Sequence, residues 1–236
     1  GSHSHPTQTL TDLLTIKREL GHIGDMTIGF CGDLRFGRTV HSLIKALTRY
    51  EGIKVILIAP QELALPDYIK QDVCDKSGLS YFETDNLDEV MPQLDVLYMT
   101  RVQKERFLDE DEFDRVKDSF VLDARRMSLA KEKMAVLHPL PRVNEILKEV
   151  DDDPRAAYFR QVENGKFVRM ALISKLLEWK DDPTHTMPQG EAPIVDSTLH
   201  CTNSKCICNH ENVEPRFRVT SGGVTRCWYC DSKVRG

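Results

Sequence analysis

The chain has 236 residues and a formal net charge of -5 with both signs interspersed, which argues against a general nucleic-acid binder. No apolar run approaches membrane-spanning length and no secretory signal is visible, so a cytoplasmic protein is expected. That length can bury one good core and carry a small second module. Of the 7 cysteines, Cys31 and Cys74 stand alone, while Cys201, Cys206, Cys208, Cys227 and Cys230 cluster at the far end. Such a distribution fits a reducing cytosol and a metal site better than a disulfide framework.

Gly1-Ser2-His3 reads as an expression scar, which sets residues 1–4 aside. From His5 to Leu20 the residues Leu10, Leu13, Leu14, Ile16 and Leu20 recur at helical spacing, with Pro6 suited to a first turn. His5 and Gln8 are three apart and can project from the same side; the plain alternative is a capping His and a surface Gln. Met26 to Cys31 predicts a buried strand, and Gly32-Asp33-Leu34-Arg35-Phe36-Gly37 a glycine-bounded turn into a helix from Arg38 to Thr48. The turn is not a dinucleotide fingerprint. Arg38 sits at the helix entry, where free N–H groups already favour an anion, so an anion site outweighs a plain structural turn.

Alternation continues with a strand at Lys54 to Ala59, a helix at Pro66 to Lys76, a short strand at Ser80 to Thr84 and a helical turn at Leu87 to Met91. Then Asp95-Val96-Leu97-Tyr98-Met99 reads as a buried strand that releases Thr100-Arg101-Val102-Gln103-Lys104-Glu105-Arg106 at its carboxyl end. An open α/β sheet builds its ligand crevice at such an end, and Arg101 and Arg106 offer donor forks for carboxylate or phosphate. A solvated charged loop is the bland alternative. Asp109 to Lys117 is strongly acidic and reads as a mobile surface segment, Phe120 to Leu122 as the beginning of another strand, and Ala124 to Lys133 as a helix. Ala135-Val136-Leu137 is the last strand and runs into His138-Pro139-Leu140-Pro141-Arg142. Its prolines fix the chain as extended, so the Pro139 and Leu140 carbonyls can point into a cleft as rigid acceptors; a plain turn after the strand is the alternative. An amphipathic helix over Tyr158 to Trp179 closes a domain of residues 5–180, and Pro/Gly-rich residues 181–196 read as a linker to residues 197–236.

Together, His5-Pro6-Thr7-Gln8, Gly32 to Thr39, Thr100 to Arg106 and His138 to Arg142 resemble the catalytic chain of the aspartate carbamoyltransferase family, from His5 to about Trp179. Ornithine-specific relatives typically carry a Cys in the last motif, where this chain has Pro139, which favours aspartate. The resemblance implies a Rossmann-like, mainly parallel sheet with helices on both faces, followed by a small all-β zinc domain. It also implies the roles of the motifs. His5 and Arg101 would be catalytic. Arg38, Arg101 and Gln103 would bind aspartate. His5, Gln8, Pro139, Leu140 and Pro141 would bind carbamoyl phosphate.

The family's amino-terminal carbamoyl-phosphate domain, with its Ser-Thr-Arg-Thr loop, has no counterpart here, so the 236 residues are expected to be inactive alone. Family members are built on catalytic trimers, which makes a trimer-based assembly the expectation. The tail resembles the zinc domain of the same enzyme's regulatory chain. Cys201-x4-Cys206 and Cys227-x2-Cys230 provide two thiolate pairs for a structural Zn2+, with Cys208 or His210 as possible substitutes that the family pattern disfavours. A non-catalytic assembly module, docking partner chains through this zinc domain, is the alternative function.

Overall fold

Five parallel strands set out the crevice. The computed structural model describes residues 4–103, 110–116, 119–182, 184, 192–204, 206–220, 223–230 and 232–235. β1 (Met26–Cys31), β2 (Ile53–Ile58), β3 (Ser80–Thr84), β4 (Val96–Met99) and β5 (Ala135–Leu137) form one sheet in the order β3-β2-β1-β4-β5. All neighbours pair in parallel, with Ile28 opposite Val96 and Val96 opposite Ala135 at the centre. Strand order reverses between β1 and β4, so their carboxyl ends flank the topological switch point where ligands of open α/β sheets bind.

Near-continuous apolar strands are what a sheet covered on both faces requires. On one face Ile28, Phe30, Val55, Leu57, Val96 and Tyr98 pack with Ile16 of α1 (Pro6–Leu20) and with Val40, Leu43, Ile44 and Leu47 of α2 (Arg38–Leu47). α3 (Asp67–Ile69), continued by wide helical turns over Lys70–Asp75, adds Ile69 and Cys74 there. On the other, Cys31, Ile56, Ile58, Leu97, Met99 and Val136 meet Leu87 and Val90 of α4 (Leu87–Val90). The acidic stretch expected to be mobile contains a helix, α5 (Glu110–Val116), whose Val116 is buried. Phe113 and Val116, three apart, give it an apolar side that its charge conceals. No strand forms at 120–122, where Leu122 makes a single parallel bridge to Ile146. α6 (Ala124–Leu129) is shorter than expected; Asp123 caps it by accepting from the Arg126 N–H, and Met127 is its buried residue.

α7 (Tyr158–Asp181) is buried at Tyr158, Gln161, Asn164 and Gly165. Farther along, Met170, Ile173 and Leu177 are 62%, 59% and 58% exposed. The chain accordingly divides into a compact unit of residues 6–169 and a second unit of residues 170–236 together with residues 1–5, a boundary inside α7. In the second unit β6 (Ile194–Val195), β8 (Arg216–Val219) and β9 (Thr225–Cys227) form one antiparallel sheet, and β7 (His200–Cys201) pairs with β10 (Val234–Arg235). Ile194 and Val195 pair with Phe217 and Arg216, so the expected linker over 181–196 ends earlier, because its last apolar residues complete a sheet.

Candidate active site and metal centre

Two turns meet at the switch point. Gly32 follows β1 at φ 111°, and a Cβ there would lie 2.3 Å from the Thr100 carbonyl oxygen, so only glycine lets the turns touch. The Asp33 N–H donates to Thr100 Oγ1 at 2.8 Å, and that hydroxyl donates to the Cys31 carbonyl at 3.1 Å. The buried Asp33 carboxylate accepts the Phe36 N–H at 2.9 Å and the Gln103 N–H at 3.4 Å. Burial pushes this carboxyl up to about 6, against the pull of the Phe36 and Gln103 donors. Asp33 thus ties the glycine turn to the segment bearing Arg101 and Gln103, both half-buried just past β4. Arg38, exposed, is the first residue of α2, and its N–H donates to the Phe36 carbonyl at 2.9 Å.

The motif after β5 turns instead of running extended as expected, since Leu140 has φ 53° and its N–H reaches back to His138. Gln161 Oε1 accepts the His138 N–H, and His138 Nδ1 accepts the Leu140 N–H, both at 2.8 Å. His138 therefore carries its proton on Nε2, which donates to Glu145 Oε1 at 2.8 Å. Burial raises the Glu145 carboxyl, but His138 and the Val143 N–H outweigh it and hold the group below the ordinary range. Pro139 and Pro141 have no N–H and that of Leu140 is taken by His138, so the turn presents only carbonyl acceptors. Arg142 is committed elsewhere: it clamps Asp151, one contact being 2.6 Å, and donates to Tyr158 Oη at 3.2 Å.

On α1, Gln8 Nε2 donates to Asp12 Oδ1 at 2.7 Å. Asp12 also accepts Gln161 Nε2 at 2.7 Å and Tyr98 Oη at 3.0 Å. Burial pushes Asp12 up to about 7, although the donors Gln8, Gln161 and Tyr98 pull it down. His5 is half-buried, one residue ahead of α1, in the stretch that groups with the second unit.

In the second unit the Sγ atoms of Cys201, Cys206, Cys227 and Cys230 lie within 4.8 Å of one another. Cys201–Cys230 and Cys206–Cys227 are 3.3 and 3.7 Å apart, near the ~3.8 Å edge of a tetrahedron with Zn–S bonds of about 2.3 Å. Cys208 Sγ sits 3.2 Å from Cys206, whereas His210 Nε2 bonds the Ser204 carbonyl at 2.6 Å.

Residues 24–176 match the family of the aspartate/ornithine carbamoyltransferase Asp/Orn binding domain. The chain belongs to that family. Residues 193–236 match the metal binding domain of the aspartate carbamoyltransferase regulatory chain. The aspartate carbamoyltransferase catalytic subunit of Lachnoclostridium phytofermentans is 63% identical over 177 residues, covering 75% of this chain and 58% of the relative. That of Clostridium botulinum strain Langeland is 57% identical with the same coverage. Among solved structures, the aspartate transcarbamoylase of Trypanosoma cruzi in complex with carbamoyl phosphate and aspartate superposes with a TM-score of 0.69 at 48% identity, covering 73% of this chain and 57% of that one. The catalytic subunit from M. jannaschii gives 0.70 at 45%, covering 78% and 59%. The chain therefore spans somewhat under three-fifths of the length of the carbamoyltransferases it matches.

The motifs do not announce the polar residues beneath them. Asp33 lies within the Gly32 to Thr39 motif, and no role follows from its position there. Gln161 and Glu145 carry no signal, since the partners Asp12 and His138 lie 149 and 7 residues away; Asp12 has one local donor in Gln8, but its bond to Gln161 is made only by the fold.

Proposed function

We propose that this chain supplies the aspartate-binding half of an aspartate carbamoyltransferase of de novo pyrimidine biosynthesis. The amine of L-aspartate attacks the carbonyl carbon of carbamoyl phosphate. A tetrahedral intermediate forms, the C–O bond to phosphate breaks, the amine loses its proton, and N-carbamoyl-L-aspartate and phosphate result. The observation that carries this reading is that three motif turns leave the carboxyl ends of adjacent strands β1, β4 and β5, with Asp33 bonded to the first two.

In this reading Arg38 and Arg101 hold the two carboxylates of aspartate and Gln103 orients it, since a dianion needs paired cationic forks. Gln8 and the acceptor turn at Pro139, Leu140 and Pro141 hold the carbamoyl NH2. His5 and Arg101 donate to the oxygen that gains charge in the tetrahedral state. Positioning and electrostatics do this work without a covalent intermediate. Phosphate binding belongs to a carbamoyl-phosphate domain, and the exposed apolar residues of α7 fit burial against one. The active form is cytoplasmic and built on catalytic trimers. Cys201, Cys206, Cys227 and Cys230 would hold Zn2+, whose four thiolates leave no open position and make it structural.

A second reading, a non-catalytic module that docks partner chains through the zinc domain, is favoured by one feature. Residues 193–236 match the metal binding domain of a regulatory chain rather than a catalytic one. Product assays separate the two. Joined behind a carbamoyl-phosphate domain, the chain is expected to form N-carbamoyl-aspartate, and Arg101→Ala to lower kcat/KM by about a hundredfold or more. Turnover by the 236 residues alone would refute the need for that domain; no turnover by the joined protein would favour docking.

A further inference from the structure

We infer that Asp12 is a positioning residue that couples the carbamoyl and aspartate sides of the site, an inference that rests on the function proposed above. Its donors come from three elements: Gln8 on α1, Tyr98 on β4 and Gln161 on α7. Each belongs or leads to a stretch assigned to substrate. Gln8 is itself a carbamoyl residue. Gln161 passes the link to the His138 N–H, the start of the acceptor turn. Tyr98 spends its proton on Asp12, so its oxygen accepts from the Thr39 hydroxyl, next to Arg38 in α2.

The directions are fixed. Only the oxygen of the Gln161 amide can accept a backbone N–H, so its NH2 group must face Asp12. Asp12 then meets donors alone, two on Oδ1 and one on Oδ2. A carboxylate accepts all of them; an asparagine has one acceptor and would turn an NH2 group against a donor. Asp12, Tyr98 and Gln161 are all at most 1% exposed, so the bonds are shielded from water. Its hydrogen-bond partners are neutral, which makes burying this carboxyl costly, and packing alone would be met by an apolar residue. The arrangement makes sense as alignment: three substrate-binding stretches share one buried reference point, and a misplacement of about 1 Å at a reacting centre costs up to a hundredfold.

The test uses the joined protein of the preceding subsection, with Tyr98→Phe, Gln161→Met and Asp12→Asn. Tyr98→Phe severs the link toward Arg38 and is expected to raise KM for aspartate about tenfold while leaving KM for carbamoyl phosphate within about twofold. Gln161→Met severs the link toward the acceptor turn and should show the reverse split. Asp12→Asn should raise both and lower kcat. Equal effects of Tyr98→Phe and Gln161→Met on the two KM values, or none, overturn the coupling, and this holds even if Asp12→Asn fails to fold. Arg101→Ala is the control on the reading itself: full activity in that variant sinks the assigned site and not the link. The link also has a readout free of activity. In 1H–15N spectra of the 236-residue chain, Asp12→Asn should shift the Gln8 side-chain amide and the backbone amides of His138 and Thr39. Unmoved signals overturn the link whatever the kinetics.

Discussion

Two buried carboxyls underlie the crevice, and each makes stability depend on pH. Burial lifts Asp12 to about 7 and Asp33 to about 6, whereas unfolded aspartates titrate near about 4. Between those values the folded chain keeps protons that the unfolded chain releases. Their stabilising contribution is therefore complete below about pH 4 and is lost as pH rises through about 7. Asp88, Asp151 and Asp153 are held below the ordinary range by Arg126, Arg142 and Arg155, so their contribution is lost only as pH falls through those lowered values, outside this window. The unfolding free energy from urea melts should drop between about pH 5.5 and about pH 8, by on the order of 2 kcal/mol for Asp12. Asp12→Asn should shrink that drop; an unchanged drop would show that Asp12 does not titrate there. Gly32 answers to sterics instead. Gly32→Ala would set its Cβ 2.3 Å from the Thr100 oxygen at φ 111°, so a loss of about 3 kcal/mol in a thermal or urea melt is expected.

At the scale of elements, apolar periodicity located the strands and most helices, because buried parallel strands and amphipathic helices write their environment into residue type. Which side of a helix is buried was less legible. α1 shows Leu10, Leu13 and Leu14 to a reader of periods, yet Leu10 is 43% exposed while Thr9, Thr11, Asp12 and Thr15 are buried. Thr11 and Thr15 donate to carbonyls within α1, but Asp12 and Thr15 also meet Gln161 and Asn164 far along the chain, and no local pattern announces those partners. The site shows the same division. Residues proposed to touch substrate stand in short motifs, while those that hold them are spread over 149 positions. α7 forms where a helix was expected, but Phe167, Met170, Ile173, Leu176 and Leu177, which were expected to give it an apolar face, are exposed in this chain. Ile173, 59% exposed, should therefore tolerate Ile173→Glu with a stability change within about 0.5 kcal/mol. Light scattering of that variant should show less self-association than the parent. A large loss of stability would mean that this part of α7 is packed in solution.

At the scale of the whole molecule the two units are stabilised by different physics. Residues 6–169 bury two apolar layers on either side of a sheet, enough for a core of ordinary kind. Among the described residues of the cysteine module, the buried core cluster is Cys201, Cys206, Cys227 and Phe217, so three of its four members are metal-ligand candidates. Remove an ion from such a cluster and little apolar surface is left to offset chain entropy; metal binding there is folding. The candidate ligands also lie on β7, on β9 and in the turns beside them, so one ion held there would join both small sheets. Chelation, or Cys227→Ser, should therefore release one equivalent of zinc and collapse the NMR dispersion of residues 193–235, while signals of residues 6–169 persist. The residues proposed to bind aspartate stand over a core that contains no cysteine of the module. Loss of dispersion throughout would mean that the α/β layers depend on the metal. A module that stays folded in excess chelator would show that its thiols hold no structural ion.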